Sequence, residues 1–213
     1  MKLITEDDVR AYLVVDSIPE IMEPIKGAVH TATSFLASVL RTPDFGYGTY
    51  TDTFRVPAEP TDPTNNVWAF MLTRGLLTAD GVTVKMADTL SDLSSNFTDI
   101  SGRVTINRTK GVVQWLYDDD PTSPYLQVTY KAGFNANAED PDLYDPDEVP
   151  AWLQHAAKLR AVLALKNSPF FAALQTKGGE LAMVNGDALA RELSTIIEPY
   201  VRYMPSAVRP LTV

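Results

Sequence analysis

The chain has 213 residues, of which 45% are hydrophobic and 21% are charged, a composition typical of a folded globular protein. It contains no cysteine, which excludes disulfides, thiolate catalysis and sulfur-ligated zinc sites. The 27 acidic and 18 basic side chains give a net charge of −9, so the chain has no overall basic character of the kind that binds nucleic acid. No apolar run reaches the ~18 residues of a membrane span, and the first residues lead into an acidic stretch, so we expect neither a membrane span nor a secretion signal.

The first forty residues predict two helices. Thr5 followed by Asp8 is typical of a helix N-cap with an acidic partner three residues on. A second helix start lies at residues 16–17, and the apolar residues that follow recur with the helical period. Proline is tolerated only in the first turn of a helix, so we expect the regular part of the second helix to begin near Pro24.

The middle of the chain predicts short strands, because residues 44–135 are rich in Gly, Pro, Asn, Thr and β-branched residues. The turn at residues 108–111 is expected to close a hairpin, with Gly111 free to adopt a positive φ. We therefore expect a small antiparallel sheet or partial barrel. Its predicted strands cover residues 50–56, 67–72, 82–86, 103–107, 112–117 and 126–131.

Helical spacing returns after Pro150, which suits a first helical position, and ends near residue 167. A short helix is predicted at residues 170–176. A last helix opens at residues 185–187 and is kinked or stopped by Pro199. The predicted fold class is α+β. Its parts are a helical bundle from residues 1–43 and 149–202, a β-rich insertion at 44–148 and an extended tail at 203–213.

The residues point to no catalytic, cofactor or metal site. His30 and His155 lie in the middle of predicted helices without the partners of a catalytic triad. Two acidic clusters leave three interpretations open: a solvated loop, a cation site and a paired-carboxylate site. The solvated loop is favoured, because prolines stiffen the second cluster and no glycine marks the turn of a calcium loop. The first cluster is Asp118, Asp119 and Asp120, and the second contains Asp140, Asp142, Asp145, Asp147 and Glu148.

The tryptophans predict core positions. Trp68, Trp115 and Trp152 fall on predicted strand or helix faces, where burial is the favoured interpretation. A carbohydrate- or ligand-binding surface built on Trp68 or Trp115 is the alternative.

Two stretches of the chain, roughly residues 1–40 and 100–167, resemble the head–tail connector proteins of tailed bacteriophages, also called head-completion adaptors. Residues 3–13 and 28–36 are similar to the first two helices of that family. Residues 128–134 carry the stronger likeness, the pattern V-x-Y-x-A-G-aromatic at the end of a strand. An acidic spacer follows, and then V-P-x-x-L-Q-x-A at residues 149–156, where the family begins its central helix.

The resemblance implies a structural virion protein rather than an enzyme. Such a protein forms a ring of about twelve copies in the neck of the virion and is assembled in the host cytoplasm. The ring lies between the portal protein and a stopper or tail-terminator protein, and DNA passes through its lumen without specific binding. Carboxylates of the two acidic clusters are candidates for the channel lining, since they repel phosphate. The alternatives are a tail-terminator or baseplate component.

The C-terminal tail is the candidate contact with the portal, because relatives extend this segment into it. An extended tail contributes little core, so we expect deletion of Pro205–Val213 to leave the fold intact and to abolish association with the portal. The candidate contact residues are Tyr200, Arg202, Tyr203, Val208, Arg209, Leu211 and Val213.

Overall fold

The chain folds into helices and antiparallel sheets, so its fold class is α+β. The computed structural model describes residues 1–13, 19–116, 123–166, 168, 185–202 and 207–211. Contacts between residues divide the chain into two compact units. The helical unit contains residues 1–40 and 134–201, and the strand unit contains residues 41–133 and 202–213. Residues 134–148, expected with the strands, therefore belong to the helical unit.

The helical unit begins with the predicted N-cap. The Thr5 hydroxyl accepts a bond from the Asp8 N–H at 3.0 Å, and the Asp8 carboxylate accepts from the Thr5 N–H at 2.9 Å. These reciprocal bonds satisfy backbone donors that the first turn leaves free. They start helix α1, which covers Glu6–Leu13.

Helix α2 covers Pro19–Val39, so it starts five residues before the position expected from Pro24. Pro24 removes one backbone bond near the N-terminal end, but the apolar stripe beyond it is fully buried. Burial of that stripe outweighs the single lost bond. The stripe consists of Ile25, Val29, Ala32 and Leu36.

Helix α3 covers Ala151–Lys166 and packs against α1, α2 and α4. The Pro150 carbonyl accepts the Leu153 N–H at 2.9 Å, so Pro150 lies just before the helix as predicted. Helix α4 covers Gly186–Ile197, and the Asn185 side chain caps it by accepting bonds from two backbone N–H groups. It ends at a 3₁₀ turn, Glu198–Tyr200, which contains Pro199. The predicted helix at 170–176 and the predicted start at 16–17 lie outside the described residues.

The described residues of the strand unit form seven strands in two antiparallel sheets. The four-stranded sheet has the order β1-β7-β3-β4, and the three-stranded sheet has the order β2-β6-β5. Every strand predicted from the sequence is present within two residues at each described end, and β4 was not predicted. The strands are β1 Gly48–Arg55, β2 Val67–Met71, β3 Thr83–Ala87, β4 Thr98–Asp99, β5 Val104–Asn107, β6 Val112–Leu116 and β7 Tyr125–Ala132.

One apolar cluster is formed by residues of both sheets. Successive residues of a strand point to opposite faces, so β7 buries every second side chain, Leu126, Val128, Tyr130 and Ala132. β5 and β6 form the predicted hairpin, and Gly111 in its turn has a φ of +60°. Among the described helices, none combines the length and the hydropathy that crossing a bilayer requires.

Candidate interaction surfaces

The described part of the tail, residues 207–211, lies along the edges of both sheets. The Val208 N–H donates to the Ala69 carbonyl at 2.8 Å, and the Met71 N–H donates to the Val208 carbonyl at 2.9 Å. The Leu211 N–H donates to the Thr53 carbonyl at 2.7 Å. The first two bonds join the tail to β2 and the third joins it to β1. The tail therefore pairs with backbone groups that would otherwise be free at two sheet edges.

The side chains of this segment contribute to the core. Ala207 is only 7% exposed, and Val208 packs against the apolar cluster between the sheets. Arg209 is exposed, and its guanidinium contacts the Met71 sulfur. The expectation that an extended tail contributes little core is therefore wrong for Ala207 and Val208. Both side chains are at least partly buried, and the Val208 backbone is hydrogen-bonded to the edge strand β2.

Arg202, the residue just before the tail, is held inside the strand unit. It is 2% exposed. Its Nε donates to the Lys110 carbonyl at 2.7 Å, and Nη1 donates to the Arg41 carbonyl at 2.8 Å and to the Thr73 carbonyl at 3.0 Å. Nη2 donates to the Leu72 carbonyl. Burial lowers the pKa of Arg202 to about 10, because desolvation disfavours the charged guanidinium.

A buried carboxylate lies on the other side of the Thr73 peptide. Asp52 is 7% exposed and accepts bonds from the Thr73 N–H at 2.6 Å, the Thr73 hydroxyl at 2.7 Å and the Tyr130 hydroxyl at 2.8 Å. Burial and the negative charge of Asp52 raise the pKa of Tyr130, so Tyr130 remains a proton donor. Since the Thr73 carbonyl accepts from Arg202, the polar contacts run without a break from Tyr130 to Arg202. They hold the loop after β2 against Arg202.

The candidate portal-contact residues therefore differ in accessibility. Tyr200 is half-buried in the helical unit and stacks on Trp152, with ring centroids 3.7 Å apart. Arg202 is buried, so in this structure its guanidinium is not available to a partner. Val208 is half-buried, whereas Arg209 and Leu211 are exposed. Tyr203 and Val213 lie outside the described residues.

The second acidic cluster lies in an ordered segment, residues 134–148, that pairs with the N-terminus. The Lys2 N–H donates to the Asp142 carbonyl at 2.6 Å, and the Tyr144 N–H donates to the Lys2 carbonyl at 2.9 Å. Leu143 and Tyr144 are buried, and the Tyr144 ring meets the Phe134 ring edge-on at 6.2 Å. This acidic segment is therefore held in place on the helical unit.

Several carboxylates of the acidic segment shape its backbone. Asp140 and Asp145 each accept a bond from the N–H two residues on, and Glu148 accepts from the N–H and side-chain amide of Asn135. Asp142 and Asp147 are exposed, and no described residue donates a hydrogen bond to either carboxylate. Among the described residues, no three acidic or histidine side chains are grouped so that they could hold a metal ion. Asp118, Asp119 and Asp120 lie outside the described residues.

The tryptophans of the strand unit are core residues, as predicted. Trp68 is fully buried and Trp115 is 3% exposed, with ring centroids 5.9 Å apart. Neither ring is exposed, so neither can stack on a bound sugar as the carbohydrate-binding alternative requires. Of the histidines, His30 is exposed on α2, and His155 Nε2 lies 2.9 Å from the Glu192 carboxylate.

Comparison with solved structures finds a distant likeness in fold. No protein-family model matches the chain, and no curated protein is significantly similar to it. A solved structure described as "Neck of empty GTA particle computed with C6 symmetry" contains a chain with 10% sequence identity and a TM-score of 0.40. The match covers 77% of this chain and 77% of the other. Values this low do not establish a shared function.

Proposed function

We propose that this chain is a structural virion protein, a head–tail adaptor of a tailed phage. Copies of it form a ring of about twelve subunits in the neck, between the portal and a stopper or tail-terminator protein. The ring continues the DNA channel and catalyses no reaction. The proposal starts from the sequence resemblance and gains support from the structural roles of the residues that carry it.

The main support for the proposal is that each specified letter of the V-x-Y-x-A-G-aromatic pattern falls on a residue that is buried or has a positive φ. Val128, Tyr130 and Ala132 are the buried face of β7. Gly133 has a φ of +89°, and a Cβ atom there would lie 2.2 Å from a backbone oxygen, so only glycine fits. Phe134, which follows, is 6% exposed.

The second half of the pattern likewise marks a helix start. Val149 is 3% exposed, and α3 begins directly after Pro150. The two motifs therefore describe the end of a strand and the beginning of a helix, separated by the acidic segment. The residues of the two motifs lie where the fold requires them, at a strand end and at a helix start. This supports the resemblance more strongly than sequence similarity alone would.

The tail residues Arg209 and Leu211 are our candidates for the contact with the portal. Both are exposed at the end of a segment that the sheet holds in an extended form. A peptide that is already extended loses less entropy when it binds. Arg202 then acts from within, because it holds the chain just before the tail inside the strand unit.

Gene deletion tests the proposal. Particles produced without this protein should have DNA-filled heads that lack tails, because the joint between the portal and the next neck component is missing. Heads joined to tails at the normal frequency would show that the proposal is wrong. Recovery of the chain with tail-tube protein and not with portal protein would instead favour a tail terminator.

A substitution pair tests the tail contact without removing the strand. Leu211→Asp places a charge on an exposed tail residue, and its backbone bond to β1 is retained. Leu90→Asp is the matched control, since Leu90 is 54% exposed in the loop after β3. Only Leu211→Asp should reduce the amount of this protein bound to portals, and equal loading of the two variants would contradict the tail assignment.

A further inference from the structure

The outer face of the four-stranded sheet is polar and carries basic charge. Along β1 the inward residues are buried or half-buried, whereas Thr49, Thr51, Thr53 and Arg55 point outward. The Thr51 and Thr129 hydroxyls lie 3.2 Å apart across the strand pair. Residues directly opposite each other share a face, so β7 and β3 extend this surface. Their outward residues are Tyr125, Gln127, Thr129 and Lys131 on β7, and Thr83 and Lys85 on β3.

The charged side chains on these three strands' outer face are Arg55, Lys85 and Lys131. The structure shows no salt bridge from any of them to a described residue. The Lys85 ammonium lies 3.9 Å from the centroid of the Phe97 ring, and Asp99 is opposite Lys85 on the short strand β4. Residues directly opposite each other share a face, so Asp99 adds one carboxylate to the three basic side chains. The outer face of the sheet is therefore still basic, on a chain whose net charge is −9.

The acidic excess of the chain lies in the other unit. The helical unit has 16 acidic and 8 basic residues, a net charge of −8, whereas the strand unit has 11 and 10, a net charge of −1. In the acidic segment, Asp142 and Asp147 expose carboxylates that accept no hydrogen bond from the part of the chain that the structure describes. Every copy of the chain thus carries both a basic sheet face and a preformed acidic surface.

We propose that the basic sheet face of one copy docks on the acidic segment of a second copy. The inference rests on the proposed function, since it names the contact that joins neighbours in the ring. The two patches differ from each other, so the contact is heterologous, and heterologous contacts close into rings when the rotation per subunit allows it.

The charge pattern favours a second copy over nucleic acid as the occupant. Surfaces that bind DNA gather many Lys and Arg side chains, whereas this face has three, spread among threonine and glutamine. The acidic segment of a neighbour offers opposite charge at equal stoichiometry. Complementary charge between two surfaces fixes orientation and excludes the wrong pairing, in which like charges meet.

Reciprocal charge reversal tests the contact. Arg55→Glu/Lys131→Glu reverses the sheet face, and Asp142→Lys/Asp147→Lys reverses the acidic segment. Each double variant alone should associate about tenfold more weakly than the wild type or worse, because each interface then opposes like charges. Mixed in equal amounts, they should assemble, since every contact in an alternating ring again joins opposite charges. Lys26→Glu/Arg191→Glu lowers the net charge by the same amount as the sheet-face variant, at exposed positions of the helical unit. It is the control for that variant and should assemble normally.

The measurement is the mass distribution in solution and the number of copies built into particle necks. The proposal is wrong if either reversed variant assembles like the wild type, or if the mixture does not assemble. It is also wrong if the sheet variant forms rings but loses binding to duplex DNA, which would make the face a nucleic-acid surface. These results leave the adaptor function standing, whereas a wild-type protein that is absent from particle necks contradicts both proposals.

Discussion

Replacing Arg202 with alanine should destabilise the strand unit by about 2–4 kcal/mol. The substitution leaves four backbone carbonyls without the donors that now satisfy them. A buried polar group that loses its partner costs about 1–3 kcal/mol. Removing the guanidinium also removes its desolvation cost, which is why the four losses do not add in full. The remainder is still a large share of the roughly 5–15 kcal/mol that stabilises a typical domain.

Denaturant unfolding followed by tryptophan fluorescence measures this effect. The chain has three tryptophans, of which Trp68 and Trp115 lie in the strand unit and Trp152 in the helical unit. In a Trp152→Phe background the emission therefore reports on the strand unit. The midpoint of unfolding should fall for Arg202→Ala while the slope of the transition stays the same, because the surface exposed on unfolding hardly changes.

Two further variants separate the anchor from a general effect of charge. Arg209→Ala removes an exposed arginine from the same tail and should change the free energy of unfolding by no more than about 0.5 kcal/mol. Arg202→Lys keeps the charge, but one ammonium cannot reproduce the planar fork of a guanidinium, so it should fall between the two. The reasoning is refuted if Arg202→Ala and Arg209→Ala unfold at the same denaturant concentration.

Two more predictions concern backbone strain and pH. Gly133→Ala should cost about 3 kcal/mol, because a side chain at positive φ is strained and its Cβ would meet a backbone oxygen at 2.2 Å. A thermal melt measures both effects. Gly102→Ala should be nearly neutral in it, because a Cβ atom added at Gly102 has no heavy atom within 4 Å. Hydrogen bonds from Arg74 hold the pKa of Asp44 below its ordinary value of 3.8, so the stabilisation is complete above that pH and is lost as the pH falls through the lower, folded-state pKa. Asp44→Asn should therefore be less stable than the wild type by up to about 1 kcal/mol at neutral pH and equal to it at the acid end of a pH series. Asp80→Asn, at an exposed site, should show no such difference, and a deficit for Asp44→Asn that persists in acid would contradict the assignment.

Local patterns were sufficient to predict most of the elements. The Thr5 and Asp8 cap, the stripe along α2 and the alternation along β7 each depend on neighbours within a few positions. Where two local patterns predict different structures, the sequence alone does not decide between them. Pro24 argues against helix and the apolar stripe argues for it, and only the depth of burial decides the outcome.

The positions of the tail and of Arg202 could not be predicted from local patterns. Residues 207–211 include Pro210 and lack the alternation of a strand, and they pair with β2 and β1 because two sheet edges are open there. Nothing in the neighbourhood of Arg202 signals burial, since its four acceptors come from sequence positions 92 to 161 residues away. The two-residue strand β4 is likewise fixed by its partner β3 and not by its own composition.

The basic sheet face could be predicted from the sequence only in part. Thr49, Thr51, Thr53 and Arg55 recur with the period of a strand, so a polar outer face on β1 could have been predicted. The position of Lys131 opposite Thr49, and of Lys85 two strands away from β1, follows only from the observed pairing. A surface made of three strands becomes visible once their register is known, because each strand alone contributes a single charge.

The same structural facts decide how partner binding has to be tested. A truncation at residue 205 removes the bonds from Val208 and Leu211 to the sheets together with any surface the tail offers, so lost portal binding would have two causes. Surface substitutions avoid this ambiguity, because Leu211→Asp keeps the backbone bond and alters only the exposed side chain. If that variant unfolds at the wild-type denaturant concentration but does not load onto portals, the tail acts as a contact. If it loads normally and Arg202→Ala does not, the tail acts through the stability of the strand unit.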